Sequence, residues 1–249
     1  FITAFGEDIH AGEIQHSCRE NGIDITHSRS VSGASTSTYM FITDENGDMQ
    51  LAVSDMEIYS YLTPEYIASK LDVINNASLC VIDTNLPAET IQYLCENCTV
   101  PIFADPVSTA KAVKLLPVLG KIHTIKPNML EAALLTGIPV TDERSARKAV
   151  DILLELGVRQ VFLSMGAAGV LYGNARGKKR IPNYPAEIRN TTGAGDSFMA
   201  ALVMAYLSEF STEKAARCGL AAAAICIEGE NTINEKLSRQ AVLDRISEN

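Results

Sequence analysis

At 249 residues and a formal charge of −9, the chain can bury a sizeable core as one large α/β domain or two small ones. Its negative field argues against a nucleic-acid groove or an anionic membrane surface as the main partner. With 47% hydrophobic and 20% charged residues, no apolar run of spanning length and no secretory signal, a cytoplasmic globular protein acting on a small molecule is expected.

The chain opens on "FITAFGEDIHAGE", without a methionine and already in strand-like sequence, so a missing upstream segment is expected. Residues 36–54 set "TSTYMFIT" and "GDMQLAVS" on either side of Asn46-Gly47, which predicts a two-stranded hairpin, an edge pair or a lid. From residue 79 onward strands and helices alternate. "LCVIDT" (79–84), "PIFADP" (101–106), "KIHTIKP" (121–127), "QVFLSMG" (160–166) and "GVLYG" (169–173) read as strands. Helices are predicted at 88–97, over "NMLEAALLTG" and "DERSARKAVDILLELG", each stopped by a glycine, and at 195–208, 212–227 and 238–247. Alternation of this kind predicts a mostly parallel sheet covered on both faces, with ligands beyond the carboxyl ends of its strands.

The six cysteines fall mostly within apolar or helical patterns, as reduced thiols do. Cys95 and Cys98 form an isolated C-x-x-C, and neither they nor the four histidines show zinc-ligand spacing.

The segment "NTTGAGDSF" (190–198) precedes the apolar helix "MAALVMAYL". Gly193 and Gly195 allow backbone angles that aim successive N–H groups into one concavity at the positive end of that helix. Such a nest suits a phosphoryl group in transfer, and Asp196 at its mouth can accept the proton of an attacking hydroxyl. Helix capping explains the same residues equally well. No third glycine completes a dinucleotide fingerprint, and no G-K-[ST] completes a Walker loop.

Three further segments carry similar double readings. Asn128 and Glu131 in "KPNMLE" either order hydrated Mg²⁺ or form a capping box. Ser164, Gly166 and Gly169 in "LSMGAAG" either approach a triphosphate or make a plain turn, and Asp105 ends another strand. Four such signals at strand ends of one sheet are hard to assign to capping alone.

In this order the motifs resemble those of the ribokinase-like (PfkB) family of sugar and nucleoside kinases, over essentially the whole chain. "NTTGAGDSF" is similar to its D-T-x-G-A-G-D signature, "KPNMLE" to its N-x-x-E motif and "LSMGAAG" to its ATP-phosphate strand. "STYMFITDENGDMQ", "DTNLP" and "DPVSTAKAVKL" are most similar to its pseudouridine-phosphorylating branch.

The resemblance implies a three-layer α/β/α ribokinase-like fold with a mostly parallel central sheet, its core at 1–35 and 55–249 and a small β lid at 36–54. It implies ATP and Mg²⁺, and transfer of the γ-phosphate to a ribosyl 5′-hydroxyl, with pseudouridine as the expected acceptor; a kinase for another sugar or nucleoside, or a non-catalytic nucleotide-binding relative, is the alternative. Asp196 would be the base; the amides of Gly193, Ala194 and Gly195 would form the anion hole. Asn128, Glu131, Ser164, Gly166, Gly169 and Thr192 would contact ATP or its phosphates. Glu131 and Asp105 would hold the metal through water, and Thr38 and Tyr39 would face the acceptor. Residues 219–232 would flank the adenine.

A homodimer through the lid is implied as well. Asn190 stands where the signature has aspartate, which weakens a monovalent-cation site although an amide oxygen remains. Family members also begin with a sugar-holding strand carrying Gly-Gly and Asn motifs, and the similarity starts after it.

Overall fold

The computed structural model describes residues 1–43 and 49–247, so the expected Asn46-Gly47 turn lies outside the described residues. The chain divides into two compact units, Phe1–Val100 and Pro101–Asn249.

In the first unit, β1 (Ala4–Phe5) pairs in parallel with β2 (Arg29–Ser30) across α1 (Ile9–Glu20). Asp8 caps α1, its Oδ1 accepting the Ala11 N–H at 2.8 Å. β3 (Thr38–Thr43) and β4 (Met49–Asp55) form the expected antiparallel hairpin as a sheet of their own, with an irregularity between Ile42 and Thr43. Short helices α2 (Pro64–Ala68) and α3 (Leu71–Asn75) lead to β5 (Cys80–Asp83) and α4 (Ala88–Asn97).

The second unit is built on β6 (Ile102–Asp105), β7 (Thr124–Ile125), β8 (Gln160–Ser164), β9 (Val170–Asn174) and β10 (Gly177–Ile181), hydrogen-bonded in the order β10-β9-β8-β7-β6. β6, β7 and β8 run parallel, and β9 and β10 finish the sheet antiparallel. Val161, Phe162 and Leu163 are all buried, as expected of a strand covered on both faces.

The helices of this unit are α5 (Thr109–Ala112), α6 (Met129–Thr136), α7 (Glu143–Glu155), α8 (Ala194–Leu207), α9 (Thr212–Ile227) and α10 (Arg239–Ser247). α7 buries Ala146, Ala149, Val150 and Leu153, a stripe at helical spacing, and Val150 fills the space above Gly173 of β9.

α8 and α9 pack closely because α9 presents small residues. A Cβ on Gly219 would lie 2.5 Å from the Phe198 ring, so only glycine admits that side chain. Phe198 also meets Phe162 edge to face at 6.2 Å between centroids, which fixes α8 over β8. The amino end of α8 is thereby held beside the carboxyl ends of β7 and β8.

Two strands of the second unit depart from expectation. The 121–127 strand is short, because residues 113–121 take up a 3₁₀ helix and the paired strand is confined to Thr124–Ile125. β10 is an unexpected strand: its "GKKRI" sequence carries three cations along an outer edge, which hides the alternation and also discourages further strand pairing.

Candidate active site

Four segments of the second unit converge on one cavity of about 730 Å³, within the range of small-molecule sites. Its walls include Met129, Leu130, Val170, Ile188, Phe198, Leu220 and Ile227; its polar lining includes Lys126, Asn128, Ser164, Asn183 and Thr191. Gly166, Gly169, Ala194 and Gly195 also line it. Sequence reasoning therefore selected Asn128, Ser164, Gly166, Gly169, Ala194 and Gly195 from separate segments, and the fold brings them to one surface.

The join begins beyond the short β7. Asn128 and Ser164 form an isolated parallel bridge, and the Ser164 N–H donates to Pro127 O at 2.9 Å. Asn183 Nδ2 donates to Gly166 O at 2.9 Å, which pins the turn after β8.

Asn128 and Glu131 form the capping box at the start of α6. Glu131 Oε2 accepts the Asn128 N–H and Asn128 Oδ1 accepts the Glu131 N–H, both at 2.9 Å. Capping is therefore realised here, but it leaves Glu131 almost fully buried behind the cavity wall. Burial raises the Glu131 carboxyl, an effect that its Asn128 N–H opposes and the charge of Asp105 increases.

Asp105 ends β6 and accepts the Val107 N–H at 3.0 Å. Its Oδ2 lies 3.1 Å from Lys126 Nζ in a largely buried ion pair. Lys126 in turn reaches the glycine turn before α8: a Cβ on Gly195 would sit 3.3 Å from its Nζ. Sequence reading missed this lysine, since most lysines are solvated; its place at a strand end just before Asn128 was the available signal.

The turn itself is tied down on both sides. Arg189 and Asn190 donate their N–H groups to Ile227 O at 2.8 and 3.3 Å. Asn190 Oδ1 accepts the Thr192 N–H at 2.9 Å and its Nδ2 donates to Glu230 O at 3.1 Å. Gly193 then caps α8 with φ 83°, where a Cβ would lie 2.2 Å from Thr232 O. Glycine is required by both conformation and space.

The first i→i−4 bond of α8 runs from Ser197 N–H to Gly193 O at 2.9 Å, so the N–H groups before it head the helix. That of Ala194 leans toward Thr191 O at 3.4 Å, which leaves Gly195 the better-placed donor toward the cavity. Asp196 follows on the exposed first turn, beside the lining residues Ala194 and Gly195 without lining the cavity itself. Thr192 and Gly193 are not among the lining residues either. Thr38 and Tyr39 belong to β3 of the first unit, where Tyr39 is half exposed.

The donors suit a phosphorylated ligand. Lys126, a helix head and a glycine turn supply positive potential at one end of an otherwise apolar cavity. Asp105 and Glu131 are hard oxygen donors of the type Mg²⁺ takes, and a cation would offset their mutual repulsion. Among the described residues, no group of three or more His, Cys, Asp or Glu side chains is arranged to hold a metal by itself, and no helix is long and apolar enough to cross a membrane.

The fold is the three-layer α/β/α ribokinase-like fold with a mostly parallel central sheet. Residues 1–239 match the model of the pfkB family of carbohydrate kinases, and the chain belongs to that family. It is 31% identical to Escherichia coli pseudouridine kinase over 250 residues, covering 98% of this chain and 79% of that protein. It is 27% identical to the ribokinase of Haemophilus influenzae, covering 98% and 80%. Among solved structures, Arabidopsis thaliana ribokinase complexed with ribose and ATP superposes with a TM-score of 0.84 at 23% identity, covering 99% and 81%.

Proposed function

We propose that this protein transfers the γ-phosphate of ATP to the 5′-hydroxyl of pseudouridine. One observation carries the proposal: Ala194 and Gly195, at the head of α8, line the same cavity as Lys126, and the remaining walls of that cavity are mostly apolar. The apolar walls suit a nucleobase, and the polar end suits the phosphates. Similarity to a pseudouridine kinase over 98% of the chain favours that acceptor.

In this reading Lys126 and the Gly195 N–H hold the phosphoryl oxygens as their charge redistributes, with the Gly193 and Ala194 amides beside them. Asn128 and Ser164 position the remaining phosphates, with Gly166, Gly169 and Thr192 shaping the turns around them. Asp196 takes the proton of the acceptor hydroxyl late in the transfer, because a loose transition state needs little prior activation of the nucleophile. Bound Mg²⁺ supplies charge neutralisation between phosphates, and Asp105 and Glu131 would hold it through water. Thr38 and Tyr39 are proposed as acceptor contacts.

Both ends of the Asn190 amide are already engaged within the protein, which supports turnover without a monovalent cation. Replacing K⁺ by tetramethylammonium should leave kcat within about twofold; a tenfold loss would contradict this part.

The hairpin supports self-association. Pairing of Met40 with Val53 and of Ile42 with Leu51 sets four exposed apolar side chains on one face, and a two-stranded sheet is marginal alone. A homodimer by light scattering, converted to monomer by Met40→Glu, is expected. A wild-type monomer would contradict it.

The decisive test is ADP release from ATP with a panel of pseudouridine, uridine, adenosine and ribose. Highest kcat/KM with pseudouridine is expected. A preference for ribose would reassign the acceptor, and no turnover with any member would defeat the proposal.

A further inference from the structure

The last helix, α10, takes no part in the proposed phosphoryl transfer, yet one of its side chains reaches the walls of the cavity. Ser238 Oγ accepts the Ala241 N–H at 3.2 Å and starts the helix. Arg239, Val242 and Arg245 follow at three-residue spacing and share one face. Val242 is buried, and Arg239 Nη2 donates to Ser208 Oγ at 3.3 Å, just past the end of α8. Arg245 reaches further. Its Nη1 and Nη2 lie 3.2 and 3.1 Å from Glu228 Oε1, and Nη2 lies 2.9 Å from Oε2. Nη1 also donates to Pro185 O at 3.1 Å.

The Arg245 and Glu228 side chains are only 24% and 27% exposed, so this forked pair is less screened than a surface ion pair. Glu228 closes α9, where the helix dipole disfavours a carboxylate and a guanidinium offsets it. Both groups that Arg245 joins carry cavity walls. α9 contributes Leu220, Ala224 and Ile227. The segment between β10 and α8, which forms neither helix nor strand, contributes Tyr184, Ala186 and Ile188. Asn183 anchors one end of that segment on Gly166 O, and the Arg189 and Asn190 N–H groups anchor the other on Ile227 O. Between these anchors Pro185, with Tyr184 and Ala186 on either side of it, is tied to Arg245.

With ATP as the occupant of this cavity, the proposed function on which this rests, we infer that Arg245 is a positioning residue for the nucleotide. Its guanidinium, fixed on Glu228, holds the 184–188 segment in place as a wall of the cavity. The groups proposed at the phosphates, Lys126, Asn128, Ser164 and the Gly195 N–H, are set instead by β7, β8 and the head of α8. Losing the clamp therefore weakens binding and spares the transfer step. A wall in place only about a tenth of the time raises the apparent dissociation constant about tenfold. Bound ATP selects the intact wall, so turnover at saturation is kept.

The test is Arg245→Ala in the full chain, with ATP affinity measured by titration calorimetry in Mg²⁺ without acceptor, and with kinetics on pseudouridine beside it. Kd and KM for ATP should rise about tenfold while kcat stays within about twofold. Arg239→Ala removes a cation from the same helix face and only a bond to Ser208, so Kd should stay at the wild-type value. An equal rise in Arg239→Ala would assign the effect to docking of α10 as a whole and overturn the inference. So would wild-type Kd in Arg245→Ala with kcat lowered in proportion to lost folded protein, the result of a purely structural bond. Where Arg245→Ala does not fold, Glu228→Gln keeps an acceptor, loses the charge and should raise Kd about threefold; wild-type affinity there overturns the clamp. A wild-type chain that binds ATP but phosphorylates no acceptor defeats the proposed function and leaves the clamp standing, whereas one that binds no ATP defeats both.

Discussion

Gly193→Ala perturbs the proposed anion-hole turn through both backbone conformation and a close approach. Gly193 has φ 83°, and an alanine forced there costs about 1–2 kcal/mol. Its Cβ would lie 2.2 Å from Thr232 O, so the chain must part by about 0.8 Å to reach even the 3.0 Å that real contacts respect. Neither side yields freely. Residues 189 and 190 are bonded to Ile227 O, and Asn234 Nδ2 donates to Ile225 O at 2.6 Å on the opposing loop. Overpacking of this kind adds about 1–3 kcal/mol.

The total of about 3 kcal/mol corresponds to a fall in Tm of roughly 6–12 °C for a chain of this size. A displacement approaching 1 Å at the helix head should lower kcat by about 10²-fold as well. Thermal unfolding followed by circular dichroism and steady-state kinetics on the same preparation read both effects. Gly166→Ala is the control: it too has positive φ, at 56°, but no atom lies within 4 Å of the added Cβ, so a loss of only about 1 kcal/mol is expected. Equal Tm losses in the two variants, or wild-type kcat in Gly193→Ala, would refute the close-approach argument.

Two further predictions concern the charges behind the cavity. Lys126→Met should lower kcat/KM for ATP by about 10²-fold and also lower Tm, because Asp105 loses its ion-pair partner. Adding Asp105→Asn should recover Tm without recovering kcat/KM; recovery of both would assign Lys126 a purely structural role. Glu131→Gln keeps an acceptor for the Asn128 N–H but removes a buried charge, so Tm should hold or rise while kcat falls by about 10–100-fold. Burial first of all raises the Glu131 carboxyl, so the folded protein binds its proton more tightly than the unfolded chain does. Wild type therefore loses stability as pH rises through the folded pKa. The Tm advantage of Gln should appear above that pH and vanish below it, and an advantage present only at low pH would contradict the sign.

Much of the second unit was legible because its local signals agree with its packing. The helices at 194–207 and 212–227 follow apolar and small-residue runs bounded by glycine, threonine and serine. α6 stops at Gly137, as its sequence indicates. The unread elements have opposite character. α1 buries only Ala11 and Cys18, too sparse a stripe to mark a helix, and β10 is an edge strand covered in charge. β7 is short, but its ladder is continued by the residues that flank it: the His123 and Lys126 N–H groups donate to Ile102 O and Ala104 O, and His123 O and Pro127 O accept the N–H groups of Gln160 and Ser164. In the site, glycines and cap residues announced themselves through their chain positions. Lys126 did not, because what distinguishes it is the Asp105 carboxylate across the sheet and the Gly195 turn above it, neither of which is near in sequence.

The proton acceptor is the centre of the account. Asp196→Asn retains the size of the side chain on the first turn of α8 and removes its capacity to take a proton. With pseudouridine as acceptor, kcat should fall by about two to four orders of magnitude while the KM for ATP stays within about threefold. An Asp196→Asn protein that turns over at the wild-type rate would contradict the assignment.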